Sequence, residues 1–294
     1  MSRRICLLVL AVCFGFVAHA QPKADFVEYT KLPELIMKNL KEAQREKAYA
    51  SIEVLREKSA SALDSKGLGL KVDTKASKKA MPAFDLVPSV KKASLMFCKY
   101  KRGFGAYDDF ILIGATAVAI REDGLCVTNY HVLETIIDQE QGIHPQDSLM
   151  FIADLDGNTF EIEEVLAYNQ LADLAIFKVN VGKHKLQPFK LGEDPLVGMH
   201  VNALTNPIGV PYYYSEGIVA RNVAYDGNPW ENRTEISAEF AIGSSGGPIF
   251  DDCGNLVAIV SSTDGVYAQN NDGRDLQMVI RMTIPISSVK RLLE

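Results

Sequence analysis

From residue 93 onward the chain is broken into short runs rich in Val, Ile, Phe and Thr, and no other feature restricts its fold as much. Residues 93–100, 110–120, 125–128, 159–165, 174–179, 201–204 and 256–261 have the length and composition of strands. Between them stand Asp123-Gly124, Asp156-Gly157, Asp226-Gly227, Cys253-Gly254 and Asp272-Gly273, dipeptides suited to tight hairpins. About 200 residues written in this way predict an all-β barrel or sandwich. Asp154-Leu155-Asp156-Gly157-Asn158 has some likeness to a calcium loop. The EF-hand spacing, however, needs Gly one position later and a Glu at the twelfth place, so a hairpin turn is expected.

Upstream the pattern differs. Leu32, Leu35, Ile36, Leu40, Tyr49, Ile52 and Leu55 recur mostly at intervals of three and four, with Lys, Glu, Arg and Ala between them. This predicts one long helix or two, with the charged run from Lys38 to Lys58 on a solvated face. Gly67, Gly69, Pro82, Pro88 and several lysines make residues 65–88 read as a linker. At the start, Arg3 and Arg4 precede the apolar stretch 5–17, which is followed by Ala18-His19-Ala20. That order predicts a secretory signal cleaved after Ala20, the stretch being too short to span a bilayer. The expected division is a signal peptide over 1–20, a helical extension and linker over 21–88, and a β-rich domain over 89–294.

Several classes are excluded. The net charge is −6 and no Lys/Arg cluster stands out, which argues against a nucleic-acid or anionic-membrane partner. No apolar run of membrane-spanning length follows the N-terminus. An exported chain keeps Cys98, Cys126 and Cys253, enough for at most one disulfide, so apolar burial must hold the fold. No C-x-x-C or H-E-x-x-H spacing occurs, and neither a metal nor another cofactor is expected.

One constellation carries chemistry. Ser245 sits in Gly243-Ser244-Ser245-Gly246-Gly247-Pro248. A nucleophilic serine needs a tight turn that projects its hydroxyl and leaves backbone N–H groups free for an oxyanion. The string also fits the G-x-S-x-G elbow of α/β-hydrolases, but those place a histidine after the serine. Here His19, His131, His144, His184 and His200 all precede Ser245. The remaining order is His…Asp…Ser. His131 ends an apolar run in Val127-Thr128-Asn129-Tyr130-His131-Val132-Leu133, and Asp173 heads another in Leu171-Ala172-Asp173-Leu174-Ala175-Ile176. His144, His184 and His200 lack such a setting and are expected on the surface.

With these residues in place, the stretch from about residue 110 to 294 resembles the protease domain of the HtrA/Deg family, within the trypsin-like serine proteases. The resemblance runs through Gly114-Ala115-Thr116, residues 123–133, residues 172–179, Leu191-Gly192-Glu193, Asn206-Pro207-Ile208-Gly209, Ser215-Glu216-Gly217-Ile218-Val219, residues 243–248 and Met282-Thr283-Ile284-Pro285-Ile286. It implies two Greek-key β-barrels of the chymotrypsin type over about 89–190 and 191–294, behind the helical extension. It also implies a periplasmic or secreted serine endopeptidase acting on extended or unfolded protein segments. The triad would be His131, Asp173 and Ser245, with the oxyanion held by the N–H groups of Gly243 and Ser245. Substrate backbone would pair along Val260, Ser261 and Ser262. Trimers are also implied.

Departures from the family pattern matter. The chain stops eight residues after Ile286, so no PDZ domain is expected. Glu239-Phe240-Ala241-Ile242 stands where the family usually carries Asn-Pro, and Ser244 replaces the residue that ion-pairs in trypsinogen-like activation. The alternative is therefore a proteolytically weak or inactive peptide-binding, chaperone-like module. Counting back six residues from Ser245 reaches Glu239, the register of trypsin's acidic pocket floor. Either Glu239 enters the substrate pocket and favours Lys or Arg, or it faces solvent and the family's small aliphatic preference holds.

Overall fold

The computed structural model describes residues 24, 26–268 and 275–294. The signal segment and the Asp272-Gly273 turn lie outside the described residues. Helix α1 (Leu32–Glu46) opens with Pro in its first turn and buries Leu32, Ile36 and Leu40 at intervals of four. A break at residues 47–51 makes two helices rather than one. Ser51 caps the second, α2 (Ile52–Ser59), accepting from the Val54 N–H. The break is fastened to the β-domain: Glu161 accepts from Lys47 Nζ at 2.6 Å and from the Ala50 N–H at 3.0 Å.

A short strand, β1 (Leu63–Asp64), follows, and α3 (Ala83–Val90) precedes the barrels. Between them, residues 65–81 run along the distal half of the molecule. The Leu68 and Leu70 N–H groups donate to the Leu292 and Leu293 carbonyls, and Met81 donates to Asp252 O. The Asn255 side chain both accepts from Ser77 N and donates to Ser77 O.

Strands β2 (Ser94–Lys101), β3 (Phe110–Ala119), β4 (Leu125–Thr128), β5 (Asp147–Ala153), β6 (Thr159–Asn169) and β7 (Leu174–Asn180) form the first barrel, with α4 (Tyr130–Ile137) after β4. Around the ring their order is first, second, third, sixth, fifth, fourth, and β5–β2 pairing closes it; β1 adds in parallel to β6. After β8 (Lys190–Leu191) comes the second barrel: β9 (His200–Thr205), β10 (Tyr213–Tyr225), β11 (Asn228–Ile236), β12 (Pro248–Phe250), β13 (Asn255–Tyr267) and β14 (Leu276–Pro285). The same order recurs, closed by β12–β9 pairing, and α5 (Ile286–Leu293) ends the chain. This repeated ring of six antiparallel strands is the two-barrel all-β fold of chymotrypsin. Closure leaves each ring without a free sheet edge over most of its length.

The first barrel is filled by Leu95, Phe97, Ala117, Cys126, Met150, Phe160 and Phe177, joined by Ile52 and Leu55 of α2 and Leu133 and Ile136 of α4. Val201, Ala203, Val219, Ile236, Ile249 and Ala258 fill the second. A third cluster joins the barrels to α1, α3 and α5 through residues such as Ile36, Leu86, Ile176, Phe250 and Leu292. Cys98, Cys126 and Cys253 are all free thiols, so among the described residues no disulfide supplements this burial. Burial pushes the Cys98 and Cys126 thiols far up, which leaves them unreactive. Asp154-Leu155-Asp156-Gly157-Asn158 is the β5–β6 turn: Asp154 Oδ1 accepts from the Asp156 and Asn158 N–H groups at 2.9 Å each. Among the described residues, no helix is long and apolar enough to cross a membrane.

Candidate active site

Thr128 ends β4 and Asn129 precedes α4, so His131 lies in the first turn of a helix rather than on a strand end. The turn after β6 carries Asp173 at φ +58°, a left-handed conformation that Asp tolerates better than most residues. That turn is locked on both sides. Asp173 N donates to Gln170 O at 3.1 Å, and its own carbonyl accepts from Asn129 Nδ2 at 2.9 Å. The carboxylate then meets the start of α4, where helix N–H groups and the dipole favour negative charge.

His131 Nδ1 lies 2.9 and 3.0 Å from the two Asp173 oxygens, and the His131 backbone N–H donates to Oδ1 at 3.2 Å. Burial pulls the imidazole pKa down, but the hydrogen bond to Asp173, that carboxylate's charge and Glu134 outweigh it. The ring is held above the ordinary histidine value. Ser261 Oγ, on β13, donates to Asp173 Oδ2 at 2.9 Å. From sequence, Ser261 is expected only along the substrate strand. Its tie to Asp173 spans 88 residues, and no local signal carries it.

Ser245 comes from the loop between β11 and β12. Gly243 there has φ +93°, and a Cβ on it would come within 2.7 Å of Asn206 O. Gly246, at φ +78°, leaves no room beside Thr116 and Thr128, whose atoms a Cβ would meet at 2.3 Å or less. Thr116 fixes the loop by donating from Oγ1 to Gly243 O at 3.1 Å and from its N–H to Ser245 O at 2.9 Å. Buried Ser244 donates to Thr205 Oγ1 at 2.9 Å, so that position is used for packing the loop. Other N–H groups of the loop are engaged: Ser244 to Ala241 O, Gly246 to Val260 O and Gly247 to Ser244 O. Among the described residues, the Gly243 and Ser245 N–H groups have no acceptor. Two unspent donors therefore flank the serine.

His131 and Ser245 line one cleft of about 330 Å³ with Phe240, Ala241, Ile242 and the β13 residues Val260, Ser261, Ser262 and Thr263. The structure thus brings together His131, Asp173, Ser245, Gly243, Val260, Ser261 and Ser262. It does not bring Glu239 there. The Glu239 side chain is 69% exposed and faces Arg281 Nη2 at 3.3 Å, while Ser215 Oγ holds its backbone carbonyl. His144, His184 and His200 are exposed and do not line the cleft. Arg233 on β11 carries no motif, yet its guanidinium donates to Leu171 O at 2.8 Å, bracing the Asp173 turn from the second barrel. Among the described residues, no cluster of His, Cys, Asp and Glu could hold a metal ion.

Residues 115–259 match the family described as trypsin-like peptidase domain. Curated relatives include Protease Do-like 1, chloroplastic, of Arabidopsis thaliana, 30% identical over 145 residues, covering 47% of this chain and 30% of the relative. The probable periplasmic serine endoprotease DegP-like of Brucella suis biovar 1 is 29% identical over 178 residues, covering 60% and 31%. This chain thus spans about a third of the length of those two relatives. The crystal structure of Deg5 superposes with a TM-score of 0.53 at 20% identity, over 71% of this chain and 90% of that one, and so shares the fold. Family match, relatives and barrel order converge on one conclusion: residues 115–259 carry a trypsin-like peptidase domain, and the chain is similar to serine endoproteases of the HtrA/Deg type.

Proposed function

We propose that this chain is an exported serine endopeptidase that cleaves extended or unfolded protein segments. The observation that carries the proposal is a serine placed between two unspent backbone N–H groups, in one cleft with a histidine whose far nitrogen is held by a carboxylate. In this mechanism His131 takes the Ser245 proton as the hydroxyl attacks a peptide carbonyl, then delivers it to the leaving amine. Asp173 fixes the imidazole tautomer and stabilises the imidazolium. The Gly243 and Ser245 N–H groups receive the tetrahedral oxyanion. Ser245 Oγ makes no hydrogen bond to His131 among the described residues. Such contacts are often long in free proteases and tighten with substrate.

Two further observations support the substrate class. Pairing of β12 with β13 stops at Ile259, and the Val260 backbone, expected to meet substrate, is instead bonded to Gly246 and Gly247, so the edge of β13 without a strand partner among the described residues runs from Ser261 to Tyr267. An extended chain can add there as a strand. The cleft walls Phe240, Ala241 and Ile242 are apolar, which suits an aliphatic side chain before the scissile bond. Export, for which the basic start and apolar stretch of residues 1–20 argue, places the enzyme in the periplasm or outside the cell. The test is incubation with β-casein and with a compact folded protein: casein should be cut and the folded protein spared. Casein left intact by the wild type would sink the proposal.

Gly243→Ala should lower kcat by about 100–1,000-fold, the cost of losing one oxyanion donor, because a Cβ would push the loop off Asn206. Steady-state kinetics with circular dichroism as a fold control decide it. Glu239→Ala should leave the cleavage-site profile unchanged, since the carboxylate points to Arg281 and away from the cleft. A peptide-library profile checks this; a basic preference lost in the variant would return Glu239 to the pocket.

A further inference from the structure

We propose that residues 51–65, upstream of the matched peptidase region, are a clamp that positions His131 and Asp173, with Arg56 and Ser65 as its two points of action. The proposal rests on the reading of those two residues as catalytic.

The first point of action lies at the end of the histidine helix. Helix α2 packs against α4, and Ile52 and Leu55 share the barrel core with Leu133 and Ile136. From that base Arg56 reaches the far end of α4. Its Nε donates to Thr135 O at 2.7 Å, and its Nη2 donates to Gln141 O just beyond the helix. The last carbonyls of a helix have no partner within it, and a cation there also meets the negative end of the dipole. Thr135 is four residues from His131, about 6 Å along the axis. A rigid helix of two turns pinned at its C-terminal end cannot swivel its first turn away from Asp173.

The second point acts on the aspartate turn. Strand β1 lies parallel to the end of β6, pairing Leu63 with Ala167 and Asp64 with Tyr168, and Ser65 N donates to Tyr168 O at 2.8 Å. Ser65 Oγ then accepts from Asn169 Nδ2 at 2.8 Å. This sets which way the Asn169 amide faces: its oxygen accepts from the Ala172 N–H at 2.6 Å, one residue before Asp173. Without Ser65 Oγ the Asn169 amide is held only by the Ala172 N–H, and one brace on the left-handed Asp173 turn is weakened. One 15-residue segment thus grips both halves of the dyad from outside the barrel.

The test compares the full chain with Arg56→Met, Arg56→Lys, Ser65→Gly and the Arg56→Met/Ser65→Gly double variant. Glycine suits residue 65 because Ser65 has φ +56°, so the hydroxyl is removed without added strain. Two readouts are used: steady-state kinetics, and the downfield proton resonance of the His131 Nδ1–H hydrogen-bonded to Asp173. In the double variant kcat should fall about ten-fold at unchanged KM, a modest misplacement of reacting groups, and the resonance should broaden. Arg56→Lys should restore most of both. A lowered melting temperature with kcat and resonance unchanged would overturn the clamp and leave a merely structural segment. If the wild type cleaved nothing, the catalytic reading would fall while the resonance would still decide the clamp.

Discussion

Ser245→Ala is expected to lower kcat on casein by about 10⁶-fold, the scale seen when a triad nucleophile is removed, while the melting temperature stays close to that of the wild type. The two halves of this expectation have separate causes. Chemically, alanine leaves His131 with no hydroxyl to deprotonate. Structurally, Ser245 Oγ holds nothing: the loop is fixed by Ser245 O on the Thr116 N–H, by Thr116 Oγ1 on Gly243 O and by Ser244 Oγ on Thr205. Removing an oxygen without a partner costs little, within about 0.5 kcal/mol for such sites. Kinetics alongside calorimetry read both. Residual hydrolysis within ten-fold of wild type would place the nucleophile elsewhere.

Asp173→Asn should cost about 10⁴-fold in kcat, because an amide opposite His131 Nδ1 favours the wrong tautomer. It should also move the pH dependence of what activity remains. The hydrogen bond and charge of Asp173 raise the His131 pKa against the opposing pull of burial. Catalysis needs the neutral ring, so wild-type activity falls as pH drops through that raised value, above the ordinary histidine pKa of about 6.5. With asparagine the raising influence goes and burial remains, so the acid limb shifts to lower pH. Arg233 beside the turn and Glu134 on α4 are common to both proteins and cancel in the comparison. Profiles of kcat/KM from pH 5 to 9 test the sign. An acid limb that does not move would mean His131 is not the group titrating.

What the sequence made legible was what local chemistry encodes. Strand runs such as residues 125–128 and 174–179 carry their pattern in consecutive residues, and Leu125–Thr128 and Leu174–Asn180 stand almost where that pattern puts them. The chain order of histidine, aspartate and serine selected the two-barrel fold because it is a property of sequence alone. The features that escaped depend on distant partners. Ser261 reaches Asp173 across 88 residues, and Arg56 reaches Gln141 across 85. Residues 65–81 have the composition of a linker, yet their order comes from carbonyls of α5 and the Asn255 side chain. Glu239 shows the limit of counting: six residues before the serine is a register, but the direction of a side chain depends on the partner it finds, here Arg281 on β14. The helix carrying His131 did leave a signal, Asn129 directly before it, of the type that favours helix starts.

The central claim is that Ser245 is a nucleophile activated by the His131–Asp173 pair. Its most direct test is labelling of the full chain with a fluorophosphonate, followed by mass spectrometry to locate the adduct. A single phosphonylated residue, Ser245, with labelling that slows as His131 protonates and is absent from the denatured protein, is the result this account predicts. No adduct on the native chain, or an adduct on another serine with Ser245 untouched, would contradict it.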